Sequence, residues 1–180
     1  MTKVTSLRAC VVMNEQMLLD TATDPIAKYI WHAKNGGDAT RKSFLSYGMN
    51  IKKSFAFFKQ FGLYYETGDF ICAHAGISSL GPRQTSKDIF LEDRSVAECG
   101  LYSRKLFIYG HTPMYEALFQ DGNGYQQALK SEVVYDLPKY GSICLDTGCV
   151  FSYKLTCMMI YDNEKFSIES VEKEQSAPTT

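Results

Sequence analysis

The sequence predicts an α/β fold, and three observations predict it. Helix signals recur between residues 24 and 62. Two short β-prone runs flank Thr67-Gly68. The last third breaks into brief apolar segments separated by turn residues, the mark of β-structure.

Taken in order, Val4 to Met13 is apolar and β-branched and reads as a strand. A short helix begins at Asn14 or Glu15 and runs through Leu19. Asp24-Pro25 starts the next helix, because aspartate caps free amides and proline suits the first turn. This helix is expected to reach about Ala33 and to bury Ile26, Ile30 and Trp31 or their neighbours. Asn35-Gly36-Gly37 ends it, since these residues enter left-handed geometry at low cost. Further helices are expected over Ala39–Tyr47, stopping at Gly48, and over Ile51–Gln60, stopping at Gly62.

Leu63–Glu66 and Asp69–His74 are expected to form a hairpin around Thr67-Gly68. Gln84–Cys99 is mixed and partly helical, and Lys105–Tyr109 is a strand leading to His111. Strands are expected at Ala117–Gln120, Gly141–Asp146, Lys154–Tyr161 and Lys165–Val171, with turns at residues 121–124 and Asp162-Asn163. Residues 1–172 are read as one domain and 173–180, rich in polar residues, as a disordered tail.

The chain has 180 residues, 45% hydrophobic and 22% charged, with a net charge of −1. That balance offers no electrostatic case for nucleic acid or an anionic membrane. No apolar run approaches a membrane span, and no leader pattern is evident. The six cysteines lack both a framework pattern and a C-x-x-C pair, so reduced thiols in a cytoplasmic protein are expected.

Two motifs carry the chemistry: Cys72-Ala73-His74-Ala75-Gly76-Ile77 and Tyr109-Gly110-His111-Thr112-Pro113. Each presents a histidine after a strand, with glycine letting the chain turn away. Neutral imidazole is the commonest metal ligand near neutral pH. A third segment, Ile143 to Phe151, contains Asp146-Thr147-Gly148.

In this order, the motifs resemble the C-terminal half of the calcineurin-like metallophosphoesterases. Trp31, Asn35-Gly36-Gly37, Thr40, Ser46-Tyr47-Gly48 and Leu63-Tyr64-Tyr65-Glu66 look like the bacterial and phage serine/threonine phosphoprotein phosphatase branch. The resemblance implies an α/β sandwich: two packed sheets with helices outside and a dinuclear centre at strand ends. It implies hydrolysis of phosphate monoesters on phosphoproteins or small molecules, with manganese, or iron and zinc, as the divalent metal. His74 and His111 match two metal ligands, Arg94 is the candidate phosphate-binding residue ahead of Arg83, and Asp146 matches a residue that supports the metal site.

The front motifs of that family do not occur: there is no Gly-Asp-x-His-Gly and no Gly-Asp-x-x-Asp-Arg-Gly. The Gly-Asn-His-Glu signature appears as Val12-Met13-Asn14-Glu15, which puts Asn14 where the general-acid histidine belongs. His32, beside Trp31, reads as structural. The expectation is therefore a partial fold, lacking its first βαβ elements, with impaired or absent catalysis. A pseudophosphatase acting as a binding scaffold and a relative of dinucleoside polyphosphate hydrolases are the alternatives. A sheet surface left bare would promote self-association. Tyr153, after Ser152, lies near the expected site mouth.

Overall fold

A computed structural model describes residues 10–99, 104–151, 153–162 and 164–172. The expected strand at Val4–Met13 lies mostly outside them; within them, Cys10 bridges Gly62 and Met13 is already helical. The tail at 173–180, Ser152 and Asn163 of the last turn also lie outside the described residues. The chain divides into two compact units, residues 1–65 and 66–180.

The first unit is helical. Helix α1 (Met13–Asp20) starts with the Glu15 carboxylate accepting the Val12 N–H at 3.3 Å. Helix α2 (Pro25–Lys34) begins as expected: Asp24 Oδ1 accepts the Ile26 N–H at 2.7 Å, and proline occupies the first turn. Gly36 takes the left-handed conformation, φ 74°, between α2 and α3 (Gly37–Ser46). Gly37 permits a close approach, since a Cβ there would lie 2.5 Å from the Trp31 ring.

Two expectations for this unit are corrected. Trp31 is buried, but Ile26 and Ile30 are exposed, because α2 turns its indole inward and leaves the isoleucine stripe outside. The expected helix over 51–60 is a 3₁₀ turn, Ile51–Ser54, followed by the single turn α4 (Phe55–Phe58). Rings of Phe57, Phe58 and Phe61 meet edge to face there, with centroids 4.9–5.7 Å apart. Strand β1 (Tyr64–Glu66) then carries the chain into the second unit.

The second unit contains β2 (Phe70–Ala73), α5 (Lys87–Glu92), α6 (Ser95–Cys99), β3 (Leu106–Tyr109), β4 (Ala117–Gln120), β5 (Gln126–Leu129), β6 (Val134–Asp136), β7 (Ser142–Cys144), β8 (Lys154–Tyr161) and β9 (Lys165–Glu172). The larger sheet has six strands in the order β1-β2-β3-β7-β4-β5. Strands β2, β3 and β7 are mutually parallel neighbours, and β4 and β5 add antiparallel strands. The smaller sheet, β6-β9-β8, is antiparallel.

Alternation sorts side chains to two faces of the larger sheet. Leu106, Ile108, Ala117, Leu129 and Ile143 join Phe166 and Ile168 of β9 in one core cluster. Phe107, Tyr109 and Ile71 are buried on the opposite face. The helical segment reaches the sheet through backbone and side-chain bonds: Ala75 N–H donates to the Phe90 carbonyl at 2.8 Å, and Gln120 Nε2 donates to the Ala97 carbonyl at 3.2 Å. The result is a mixed α/β architecture in which three parallel strands end along one edge.

Candidate functional site

That edge assembles the motifs. His74 follows β2 directly, His111 stands two residues past β3, and Asp146 stands two residues past β7. Because these strands are adjacent and parallel, their carboxyl ends must converge, as ligand-binding crevices of open α/β sheets do. Backbone bonds carry the registration beyond the strands. Gly110 N–H donates to the His74 carbonyl at 2.9 Å, Leu145 N–H to Tyr109 at 2.8 Å, and Met114 N–H to Asp146 at 2.9 Å.

The two imidazoles face each other. His111 Nδ1 lies 3.1 Å from His74 Nε2, and the rings meet at 64° with centroids 4.8 Å apart. One of the facing nitrogens carries the proton in this contact. The main chain reaches this geometry under strain. His111 has φ 66°, and Thr112 N–H donates across it to the Gly110 carbonyl at 2.8 Å, closing a γ-turn of the rare, strained kind. A non-glycine residue held this way costs about 1–3 kcal/mol and marks functional positions.

Arg94 stabilises that turn. Its Nη1 donates to the His111 carbonyl at 2.7 Å and to Thr112 Oγ1 at 3.2 Å. Asp93, next to it, is fixed through contacts with the Ser95 amide and hydroxyl. Gly76 permits Asp93 to come this close, since a Cβ there would lie 2.6 Å from the carboxylate.

Electrostatics hold both rings neutral at neutral pH. Burial first, then His111, pushes His74 from the ordinary 6.5 down to about 4, with Arg94 adding and Asp146 opposing. Burial first, then Arg94, also lowers His111. Neutral rings offer lone pairs, which is what a metal requires of imidazole.

A divalent metal is implied by the resemblance, and the donor set tests it. Ligand bonds of ~2.0–2.1 Å at an angle near 100° put two nitrogens about 3.1 Å apart. The observed 3.1 Å separation matches one edge of a coordination sphere. Beyond that edge the fit fails: among the described residues, no group of three or more His, Cys, Asp or Glu side chains is placed to hold a metal. Hydrolytic zinc centres use about three protein ligands. The described residues thus supply part of a ligand set.

The other predicted residues divide. Asp146 Oδ1 accepts the Gly148 N–H at 2.9 Å, which shapes the loop after β7. Asn14 is exposed on α1, in the first unit. His32, also in the first unit, pairs with Asp38 at 2.9 Å. Arg83 is exposed and lines a separate cleft with Arg104 and Lys105. Tyr153 stacks at a tilt on Tyr115, centroids 5.3 Å apart. Sequence reasoning missed the bond from Arg94 to the His111 turn. A signal for it was present: glycine before His111 and proline after Thr112 mark a chain reversal whose carbonyls need a donor.

No family profile and no curated protein sequence matches the chain. Its fold is similar to that of a solved metallophosphoesterase from Sphaerobacter thermophilus, with a TM-score of 0.54 at 12% identity. The alignment covers 91% of this chain and 65% of that one, so the chain spans about two-thirds of its neighbour's length. The class defined here is thus a fold, the metallophosphoesterase-like α/β fold.

Proposed function

We propose that the chain recognises phosphate monoesters, of the phosphoserine or phosphothreonine kind, at the edge carrying His74 and His111, and that it hydrolyses them weakly or not at all. The observation that carries this reading is the pair of neutral imidazoles facing at 3.1 Å on parallel strand ends, with Arg94 bonded to the same turn. Arg94 commits Nη1 to that turn, and guanidinium has further N–H donors for phosphate oxygens.

The low turnover follows from what surrounds the pair. Among the described residues the donor set is short of a full metal centre. General acid catalysis contributes roughly 10²–10⁴-fold, and Asn14, at the position resembling the general acid, has no proton to give at neutral pH. Manganese, or iron and zinc, is the metal this reading favours for whatever binding the histidine pair supports.

The test pairs binding with turnover. Calorimetry with a phosphoserine peptide is expected to detect binding, weakened about tenfold by Arg94→Ala, the size of one charge-assisted bond. A chromogenic phosphate monoester with manganese is expected to turn over little more than buffer does. Absence of phosphate-ester binding overturns the reading. Robust manganese-dependent turnover that disappears in His74→Ala overturns the claim of impairment.

A further inference from the structure

The first unit contains a cavity of about 570 Å³ whose lining is chemically one-sided. Lys28, Arg41 and Lys52 line it together with His32, and among the described residues no acidic one does. Its apolar wall includes Trp31, Ile51 and Phe55. Like charges around one cavity repel, and a surface usually relieves this with interspersed acids. Here the relief is meagre. Asp38, outside the lining, is shared between His32 at 2.9 Å and Arg41 at 3.8 Å, and its side chain is 59% exposed. Among the described residues, neither Lys28 nor Lys52 makes an ion pair.

We infer that this cavity binds a nucleoside di- or triphosphate, with the phosphates on Lys28, Arg41 and Lys52 and the base against the aromatic wall. The volume lies within the ~300–1,000 Å³ span of small-molecule sites. Three cations call for more than one negative charge, which a single carboxylate does not supply and a polyphosphate does. The half-buried rings of Phe55 and His32 give a flat base surfaces to pack on, with the buried Trp31 in the same wall, and a lysine or arginine beside them attracts its phosphate. The helices around the cavity are fixed by their own devices: the Asp24 cap, the left-handed Gly36 and the Gly37–Trp31 contact. The cavity is thus a feature of ordered backbone. This inference does not depend on the histidine edge of the second unit.

The chain supplies its own reporter, because Trp31 is its single tryptophan and lines the cavity. Titrating the full chain with ADP, under selective excitation of the indole, is expected to change emission saturably, with a dissociation constant in the micromolar range. Pyrophosphate alone and adenosine alone are each expected to bind at least roughly tenfold more weakly, as each loses one half of the recognition. Arg41→Glu and Lys52→Glu are expected to weaken ADP by roughly tenfold or more. Lys53→Glu, an exposed neighbour outside the lining, is the control and is expected to bind as the parent does. Far-UV circular dichroism verifies that each variant is folded. The inference is overturned by an unchanged emission, by pyrophosphate or adenosine binding as tightly as ADP, or by Arg41→Glu and Lys52→Glu binding like the parent.

Discussion

The three histidines of this chain occupy two kinds of setting. His32 lies on helix α2, edge to face with Trp31 at 5.0 Å and paired with the exposed Asp38. His74 and His111 lie past the ends of neighbouring parallel strands, half-buried and facing each other. The difference teaches that backbone placement, and not residue type, makes an imidazole chemically available. A helix distributes its side chains around an axis and gives His32 a local partner six residues away. Parallel strands end together, so residues 37 apart in sequence meet. Burial there keeps both rings neutral, and a strained turn at His111 sets the angle.

The largest effect is expected from breaking the strand alignment itself. Ile143 is fully buried at the middle of β7, in register with Ile108 on one side and Phe119 on the other. Ile143→Ala removes the packing that locks β7 between β3 and β4. A loss of about 2–5 kcal/mol is expected, the span for large-to-alanine changes in cores. Urea unfolding measures it. A loss below about 1 kcal/mol would mean that β7 contributes little to holding the edge.

A smaller effect separates the two settings by pH. The His74 proton affinity is depressed from the ordinary 6.5 to about 4 in the folded chain. Between those values the unfolded chain binds more protons, so stability rises with pH across that window. Stability conferred above pH 6.5 is therefore lost on acidification and is fully gone near pH 4. His111 adds to this in the same direction. Thermal midpoints measured through the window are expected to fall more steeply for the parent than for His74→Gln, where nothing titrates at that position. Parallel slopes would remove the claim that burial keeps the ring neutral.

Much of this geometry was legible in the sequence because local chemistry and tertiary placement agree. Asp24-Pro25 caps α2, Gly36 turns left-handed, and the alternating β8 pairs with β9 over residues 154–161. The histidines were legible because glycine beside a strand-end histidine announces a chain reversal. Other features depend on partners distant in sequence. Strand β5, Gln126–Leu129, is exposed except for Leu129, so its strand form comes from pairing with β4 and not from its own pattern. Ile26 and Ile30 promised a buried stripe, but the buried side chain of α2 is Trp31. Glycine and proline mark the reversal at His111, but the donor that holds it, an arginine 17 residues away, is set by the fold. The cation-lined cavity joins residues from 18 to 55, and only the folded helices bring them to one wall.

The smallest effect is expected at His32, where a helix histidine has only local partners. Its pair with Asp38 joins side chains 27% and 59% exposed, and such surface pairs contribute about 0–1 kcal/mol. The edge-to-face contact with Trp31 adds an aromatic term of about 0.5–1.5 kcal/mol, lessened here because imidazole is the smaller ring. His32→Ala removes both, and Asp38→Asn weakens the first together with the 3.8 Å contact to Arg41, itself a surface pair. Stability should thus fall by roughly 1 kcal/mol for His32→Ala and by less for Asp38→Asn. Binding of the phosphoserine peptide at the strand-end histidines, read as the part of the binding lost in His74→Ala, should stay at the parental value in both. If Asp38→Asn costs as much as His32→Ala in urea unfolding, the contact with Asp38 and not the ring contact holds His32. If either variant weakens that His74-dependent binding, the contrast between helix and strand-end histidines fails.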